Sequence, residues 1–352
     1  MKIAQIAPLY EAVPPRLYGG TERVVAHLAD ALTDLGHQVT LFAAGDEATR
    51  ATRVVGRTKP LRLDPEPLKS DLASHLSMLH DVQLRAADFD IVHFHIDLLH
   101  FPFFEAMADR TLTTLHGRLD MNDLSEAYLR WHDFPLVSIS NHQRIALPRA
   151  NWHETIPHGL ALDAYTPRYQ PGRYLAFLGR ISPEKRPDRA IAIAIAAGLP
   201  LKIAAKVDTV DKDYFDAVIK PMLAHPLIEF IGEIDDNRKG EFLGNAQALL
   251  FPIDWPEPFG LVMIEAMACG TPVIAWRCGS VPEIIDEGVT GFIVESESQG
   301  VRAVSHALEL DRRQVRRVFE ARFSAQVMGK RYVAAYEKIL ASHPLIPFKR
   351  KA

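Results

Sequence analysis

Cysteine is nearly absent from this sequence, two residues in 352, and neither Cys269 nor Cys278 stands in a spacing that suits a disulfide framework or a thiolate metal centre. Charge of one sign is lacking too. Forty lysines and arginines against 44 aspartates and glutamates leave a net charge of −4, so there is no electrostatic case for nucleic acid as a partner. No apolar run is long enough to cross a bilayer, and no secretory signal precedes Lys2-Ile3-Ala4-Gln5-Ile6, which already reads as a strand. A cytoplasmic protein is expected. The basic run Lys349-Arg350-Lys351 contributes roughly 1 kcal/mol per residue to an anionic surface at best, which allows only weak peripheral membrane contact and is better read as a solvated tail.

What is present is the composition of an ordinary globular chain, 48% hydrophobic and 24% charged. Its length exceeds one hydrophobic core, so two domains are expected. In the first half, apolar strand patterns at 2–8, 37–43, 90–95, 111–116 and 135–140 alternate with helical patterns at 21–35, 68–86, 97–108 and 120–131. Such alternation implies a parallel sheet, whose strand carboxyl ends line the ligand crevice. The residues there are Tyr10, His95, His116-Gly117 and Ser140-Asn141. Gly19-Gly20 falls between the first strand and its helix, where backbone N–H groups can meet a phosphate, although a tight turn without a ligand accounts for the glycines as well.

The pattern restarts near Arg173, after a linker at 165–172. A strand at 174–179 leads into the polar loop Arg180-Ile181-Ser182-Pro183-Glu184-Lys185-Arg186-Pro187, and Asp188 is expected to cap an Ala/Ile-rich helix. Two cations at a strand-to-helix crossing favour a diphosphate, and a solvated charge run is the plainer alternative. Strands at 200–206, 227–231, 246–252, 271–276 and 290–294 complete the half. Beyond 300 two helical stretches follow, the second from Ser324, whose Tyr332 and Tyr336 face needs a partner surface.

The densest signal lies at 251–276. Pro258 suits the first turn of a helix and Gly270 its end, so Leu261 to Ala268 reads as a short buried helix carrying Glu265 in its middle. A buried carboxylate without a partner costs on the order of several kcal/mol. Ligand hydroxyls or a nearby arginine would both satisfy it, and spacing alone leaves the two open. Glu257, with seven residues between it and Glu265, stands beside the backbone N–H groups of Phe259, Gly260 and Leu261, a combination suited to a polyhydroxylated anion. By contrast, His93-Phe94-His95 with His100 fixes no third metal ligand, and Asp88-Phe89-Asp90 reads as a strand opening; no metal is expected.

The segment Glu257-Pro258-Phe259-Gly260-Leu261 through Glu265-Ala266-Met267-Ala268-Cys269-Gly270-Thr271-Pro272 resembles the donor-site signature of family 4 (group 1) glycosyltransferases. The likeness extends through Gly19-Gly20, His116-Gly117, Ile156-Pro157-His158-Gly159, Gly179-Arg180, Glu184-Lys185, Phe230-Ile231-Gly232 and Gly279-Ser280-Val281-Pro282-Glu283. It implies an α/β GT-B fold, with two Rossmann-like, doubly wound parallel-sheet domains facing across a cleft. An acceptor-side domain would span 1–165, a nucleotide-sugar domain 173–323, and a closing helix at about 324–352 would pack back on the first. It implies a retaining, metal-independent hexosyltransferase using a UDP- or GDP-sugar as co-substrate, without a cofactor, and an unidentified saccharide, lipid or small-molecule acceptor. Residue by residue, Arg180 and Lys185 would neutralise the diphosphate, Gly19-Gly20 would approach the phosphates, and Glu265 would take the ribose. Residues from Phe230 through Ile231 to Ile234 would border the base. Glu257 with Phe259, Gly260 and Leu261 would hold the sugar, and His116 would touch it near the reacting carbon. Where the family has Asn, this chain has His158. Rival readings are another activity of the same fold, an epimerase or a phosphorylase, and a non-catalytic nucleotide-sugar-binding protein.

Overall fold

The structure is a computed structural model that describes residues 1–16, 19–45, 48–170 and 172–342. The basic run Lys349-Arg350-Lys351 lies outside the described residues. The chain forms two compact units, one comprising Met1–Gly159 and the chain from Ala325, the other Leu160–Ser324.

In the first unit the strands β1 (Lys2–Ile6), β2 (Gln38–Ala44), β3 (Thr52–Arg57), β4 (Ile91–Phe94), β5 (Thr111–Thr114), β6 (Leu136–Ser138) and β7 (Trp152–Thr155) form a wholly parallel sheet in the order β3-β2-β1-β4-β5-β6-β7. The helices α1 (Gly20–Asp34), α2 (Asp71–Arg85), α3 (Phe101–Phe104) and α4 (Leu124–Arg130) are its crossovers. Strand order reverses between β1 and β4, the switch point at which open α/β sheets bind ligands. The central strands are buried runs, whereas β3 and β7 are edge strands with half-buried side chains, and for that reason they lack the apolar signature that marks the others. A helix expected at 97–108 is broken. Asp97 adopts a left-handed φ of 50°, α3 lasts four residues, and a tighter 3₁₀ stretch at Glu105–Arg110 carries a non-helical Met107.

The second unit orders its parallel strands β10-β9-β8-β11-β12-β13. These are β8 (Tyr174–Arg180), β9 (Leu201–Lys206), β10 (Ile228–Gly232), β11 (Ala246–Phe251), β12 (Val273–Trp276) and β13 (Gly291–Val294). Its helices are α5 (Pro187–Ala197), the short turns α6 (Lys212–Tyr214) and α7 (Lys220–Met222), α8 (Asp236–Gly244), α9 (Leu261–Ala268), α10 (Val281–Ile284), α11 (Glu297–Ala307) and α12 (Arg312–Arg322). The switch point here is β8/β11. Asp188 is not the cap of α5: Arg186, in a left-handed conformation, precedes the helix, and Asp188 sits in the first turn, where both its oxygens take the Arg186 guanidinium. Similarly Pro258 falls ahead of α9, which begins after Gly260 at φ 78°.

Three helices rather than two close the chain, α11, α12 and finally α13 (Ala325–Ser342), because the Asp311 side chain caps α12 and separates it from α11. Helix α13 belongs to the first unit. Gly329 lets it approach α1 closely, since a Cβ there would lie 3.2 Å from Ala31 Cβ, and Tyr332 and Tyr336 are fully buried. Among the described residues no helix is long and apolar enough to cross a membrane.

Candidate active site

At the β8/β11 switch point two loops supply the charged groups. The first, 181–186, leaves β8 after Arg180; Ile181 and Ser182 are buried, and the Lys185 N–H donates to the Ser182 carbonyl at 3.1 Å. The second, 252–260, leaves β11. They are bound together at several points. The Asp254 N–H donates to the Glu184 carbonyl at 2.8 Å, and the Asp254 carboxylate receives Arg186 at 2.9 Å and Arg189 at 3.0 Å. Asp188 and Asp254 together hold the Arg186 guanidinium above its ordinary pKa, the Asp188 hydrogen bonds being the largest cause.

Within this frame Lys185 and Glu257 form a direct ion pair. Trp255 supports both partners. Its indole N–H donates to Glu257 Oε2 at 3.1 Å, and its ring lies 4.8 Å from Lys185 Nζ, a cation–π distance. The backbone of Glu257 is pinned from a third loop, where the Ser280 N–H donates to the Glu257 carbonyl at 3.0 Å. That approach requires a glycine at 279, since at φ 58° a Cβ would stand 2.4 Å from the same carbonyl oxygen. Glu257 is thus a largely buried carboxylate in a rigid setting. Phe259, held by the Ser280 hydroxyl at 2.8 Å, is buried, while Gly260 and Leu261 are half-buried at the start of α9.

The other cation, Arg180, faces three carboxylates: Glu184 at 2.7 Å, Asp211 at 3.4 Å and Asp208 at 3.8 Å. Glu265 is buried on α9 with a different set of partners. Its Oε1 accepts from the Tyr165 hydroxyl at 3.0 Å and from Lys239 on α8 at 3.3 Å, so the countercharge is a lysine rather than the arginine considered from spacing. Ile231 is half-buried at the end of β10 and Ile234 is buried two residues past Gly232, which turns at φ 74°.

In the first unit, Gly19 precedes α1 and its carbonyl accepts the first helical bond from Arg23, with Gly20 opening the helix. His116 follows β5 at the carboxyl end of the sheet. Its ring stacks on His158, with centroids 5.1 Å apart and planes inclined by 19°, and its Nε2 lies 2.8 Å from His95 Nδ1. Burial lowers the pKa of His116 to about 3, and it lowers those of His95 and His158 far below the ordinary imidazole value, with the charges of the neighbouring rings acting in the same direction. The His158 departure therefore provides an aromatic platform for His116. Sequence reasoning did not find Trp255, Lys239, His95 or His158 as partners. His95 at a strand end, His158 in place of Asn, and Trp255 beside the Pro-Glu-Pro stretch each carried a local signal, but none that named its partner, and Lys239 carried none.

Two parallel α/β units, each with its strand-end loops at a switch point, are the architecture of the GT-B fold. The match to the model of glycosyl transferases group 1 covers residues 163–322 and that to glycosyltransferase family 4 covers 18–153. The chain belongs to this group 1, family 4 class of glycosyltransferases. Among curated proteins it is 25% identical to phosphatidyl-myo-inositol mannosyltransferase of Mycolicibacterium smegmatis, over 93% of this chain and 89% of that one. Among solved structures it resembles AviGT4, a glycosyltransferase involved in avilamycin A biosynthesis, with TM-score 0.73 and 24% identity over 97% and 98% of the two chains. It also resembles Anabaena HepE in complex with UDP and glucose, with TM-score 0.71 and 17% identity over 96% and 100%.

Proposed function

We propose that this glycosyltransferase is a metal-independent, retaining hexosyltransferase that takes its sugar from a UDP- or GDP-sugar. The observation that carries the reading is the Lys185–Glu257 pair, held by Trp255 at the β8/β11 switch point. A fixed cation there would stabilise the negative charge that grows on the departing diphosphate, and a fixed carboxylate beside half-buried α9 backbone would orient sugar hydroxyls. In this scheme Arg180 is the second diphosphate cation and the substrate's phosphates displace its carboxylate partners. Glu265 takes the ribose, Ile231 and Ile234 border the base, Gly19 and Gly20 serve the phosphates, and His116 serves the sugar. No carboxylate is placed by sequence as a nucleophile, so the acceptor attacks on the face from which the diphosphate leaves, through an oxocarbenium-like sugar. HepE, whose structure holds UDP, and the mannosyl transfer named for the mycobacterial relative support a nucleotide-linked hexose as donor.

The test is a thermal-shift screen over UDP, GDP, ADP and their sugars, followed by transfer of a radiolabelled sugar to an acceptor mixture. A ligand at 100 times its dissociation constant adds roughly 2.7 kcal/mol. Transfer with release of the nucleoside diphosphate is expected. Phosphate-dependent cleavage of a saccharide without any nucleotide, or nucleotide-sugar binding with neither hydrolysis nor transfer, would refute it. A glycosyl adduct trapped on a carboxylate would overturn the same-face mechanism.

A further inference from the structure

A continuous run of buried hydrogen bonds crosses the sheet of the first unit and ends at His116. Gln5 lies on β1 in register with His93 of β4, and alternation along β4 puts His93 and His95 on one face, the face covered by α13. Gln5 Nε2 donates to the Tyr336 hydroxyl at 3.0 Å, and that hydroxyl is 2.7 Å from His93 Nδ1. His93 Nε2 is 2.8 Å from the Thr114 hydroxyl, itself 2.8 Å from the Tyr332 hydroxyl. On the other side, Gln5 Oε1 is 2.7 Å from His95 Nε2, and His95 Nδ1 is 2.8 Å from His116 Nε2.

The direction of every bond follows from one amide. Gln5 Oε1 only accepts, so His95 Nε2 carries the proton. Both rings are held neutral by burial, so His95 Nδ1 is bare and must accept. His116 Nε2 therefore donates to it, and His116 Nδ1 is left as a bare acceptor. That Nδ1 is covered from water and has no hydrogen-bond partner among the described residues, a condition that costs a native structure free energy and so calls for an explanation. Turning the amide over would reverse each bond and convert His116 Nδ1 into a donor. The Tyr336 hydroxyl accepts from Nε2 in this arrangement and would have to donate to the amide oxygen after such a turn.

We infer that Gln5 is a positioning residue: through His95 it fixes the tautomer of His116, so that His116 Nδ1 offers a lone pair to a hydroxyl of the bound ligand. The ligand part of this inference rests on the reading of His116 as a sugar contact, whereas the tautomer part does not. A sugar hydroxyl can donate to such an atom and a diphosphate oxygen cannot, which makes the device selective for the sugar end of the donor.

Long-range ¹H–¹⁵N correlation on the histidine-labelled, unsubstituted protein reads the tautomers directly and without substrate. Both His95 and His116 are expected with Nε2 protonated and Nδ1 bare; a proton on His116 Nδ1 overturns the inference. Gln5→Glu keeps an acceptor for His95 and should keep the His116 tautomer. Gln5→Leu removes it, should mix the tautomers and should lower kcat/KM for the donor about five- to tenfold, the size of one neutral hydrogen bond. Tyr336→Phe, which removes the acceptor of the Gln5 amide nitrogen, should mix them as well. A Gln5→Leu protein that keeps the His116 tautomer overturns the relay even where His116→Ala is inactive. The expected tautomers together with unchanged kinetics in His116→Ala would uphold the relay and refute the sugar contact alone.

Discussion

Five imidazoles in the first unit are held neutral by burial, and acid should therefore destabilise that unit well above the pH at which carboxylates titrate. His93, His95, His100 and His158 are buried, His116 is half-buried with a covered Nδ1, and the pKa of each is depressed, with desolvation the largest cause throughout. The unfolded chain takes up these protons near pH 6.5 while the fold refuses them, so stability is complete above that value and falls as pH drops below it. Between pH 6.5 and 5.5 each ring contributes a loss of about 1 kcal/mol, or about 5 kcal/mol in sum. Asp97 and the buried Glu22 act in the opposite sense, because desolvation raises both carboxyls, that of Asp97 to about 6. The Asp97 side chain is exposed, so after solvent screening its offset is about 0.5 kcal/mol or less. The five rings less Asp97 leave a loss of about 4.5 kcal/mol, a large share of the 5–15 kcal/mol typical of a domain. Urea unfolding at pH 7.5, 6.5 and 5.5, followed by a probe in the first unit, measures it. The variant His158→Asn should flatten the slope by about one fifth. Equal stability at pH 7.5 and 5.5, or an unchanged slope in His158→Asn, would refute the argument.

Other consequences concern the second unit. Lys185→Ala should lower turnover by about 10²-fold, as loss of a preorganised charge contact does; unchanged kcat would remove Lys185 from the diphosphate. Lys239→Met strands Glu265 without its countercharge and should cost about 3 kcal/mol in a urea titration, much of which the double variant with Glu265→Gln should restore. Failure of that restoration would mean that packing, not charge, is at stake. Gly279→Ala should cost about 2 kcal/mol and abolish transfer by displacing the Glu257 carbonyl, seen as a lowered melting temperature together with lost activity.

How much of this was legible beforehand divides along physical lines. The central strands β1, β2, β4, β8, β9 and β11 announce themselves because burial on both faces demands apolar runs. The edge strands β3 and β7 do not, since half of each is solvated. Helix α9 was legible to its last residue, because Gly260 and Gly270 bracket a run that contains no other polar residue than Glu265. Its partners were not. Tyr165 and Lys239 lie 100 and 26 residues from Glu265, and nothing local to a lysine on a polar helix indicates which carboxylate it will meet. The same holds for Gln5, whose role depends on a hydroxyl 331 residues away.

The ties between the loops after β8 and β11 bear on how this enzyme can be altered. Asp254 reaches across to Arg186, Arg189 and the Glu184 carbonyl, so neither loop has a conformation of its own to keep when the other is exchanged. Grafting a 252–260 loop that lacks a carboxylate at 254 would sever the two side-chain bonds to Arg186 and Arg189 and leave Arg186 leaning on Asp188 alone. For loop exchange the unit is therefore the pair: residues 180–189 and 252–260 have to be moved together.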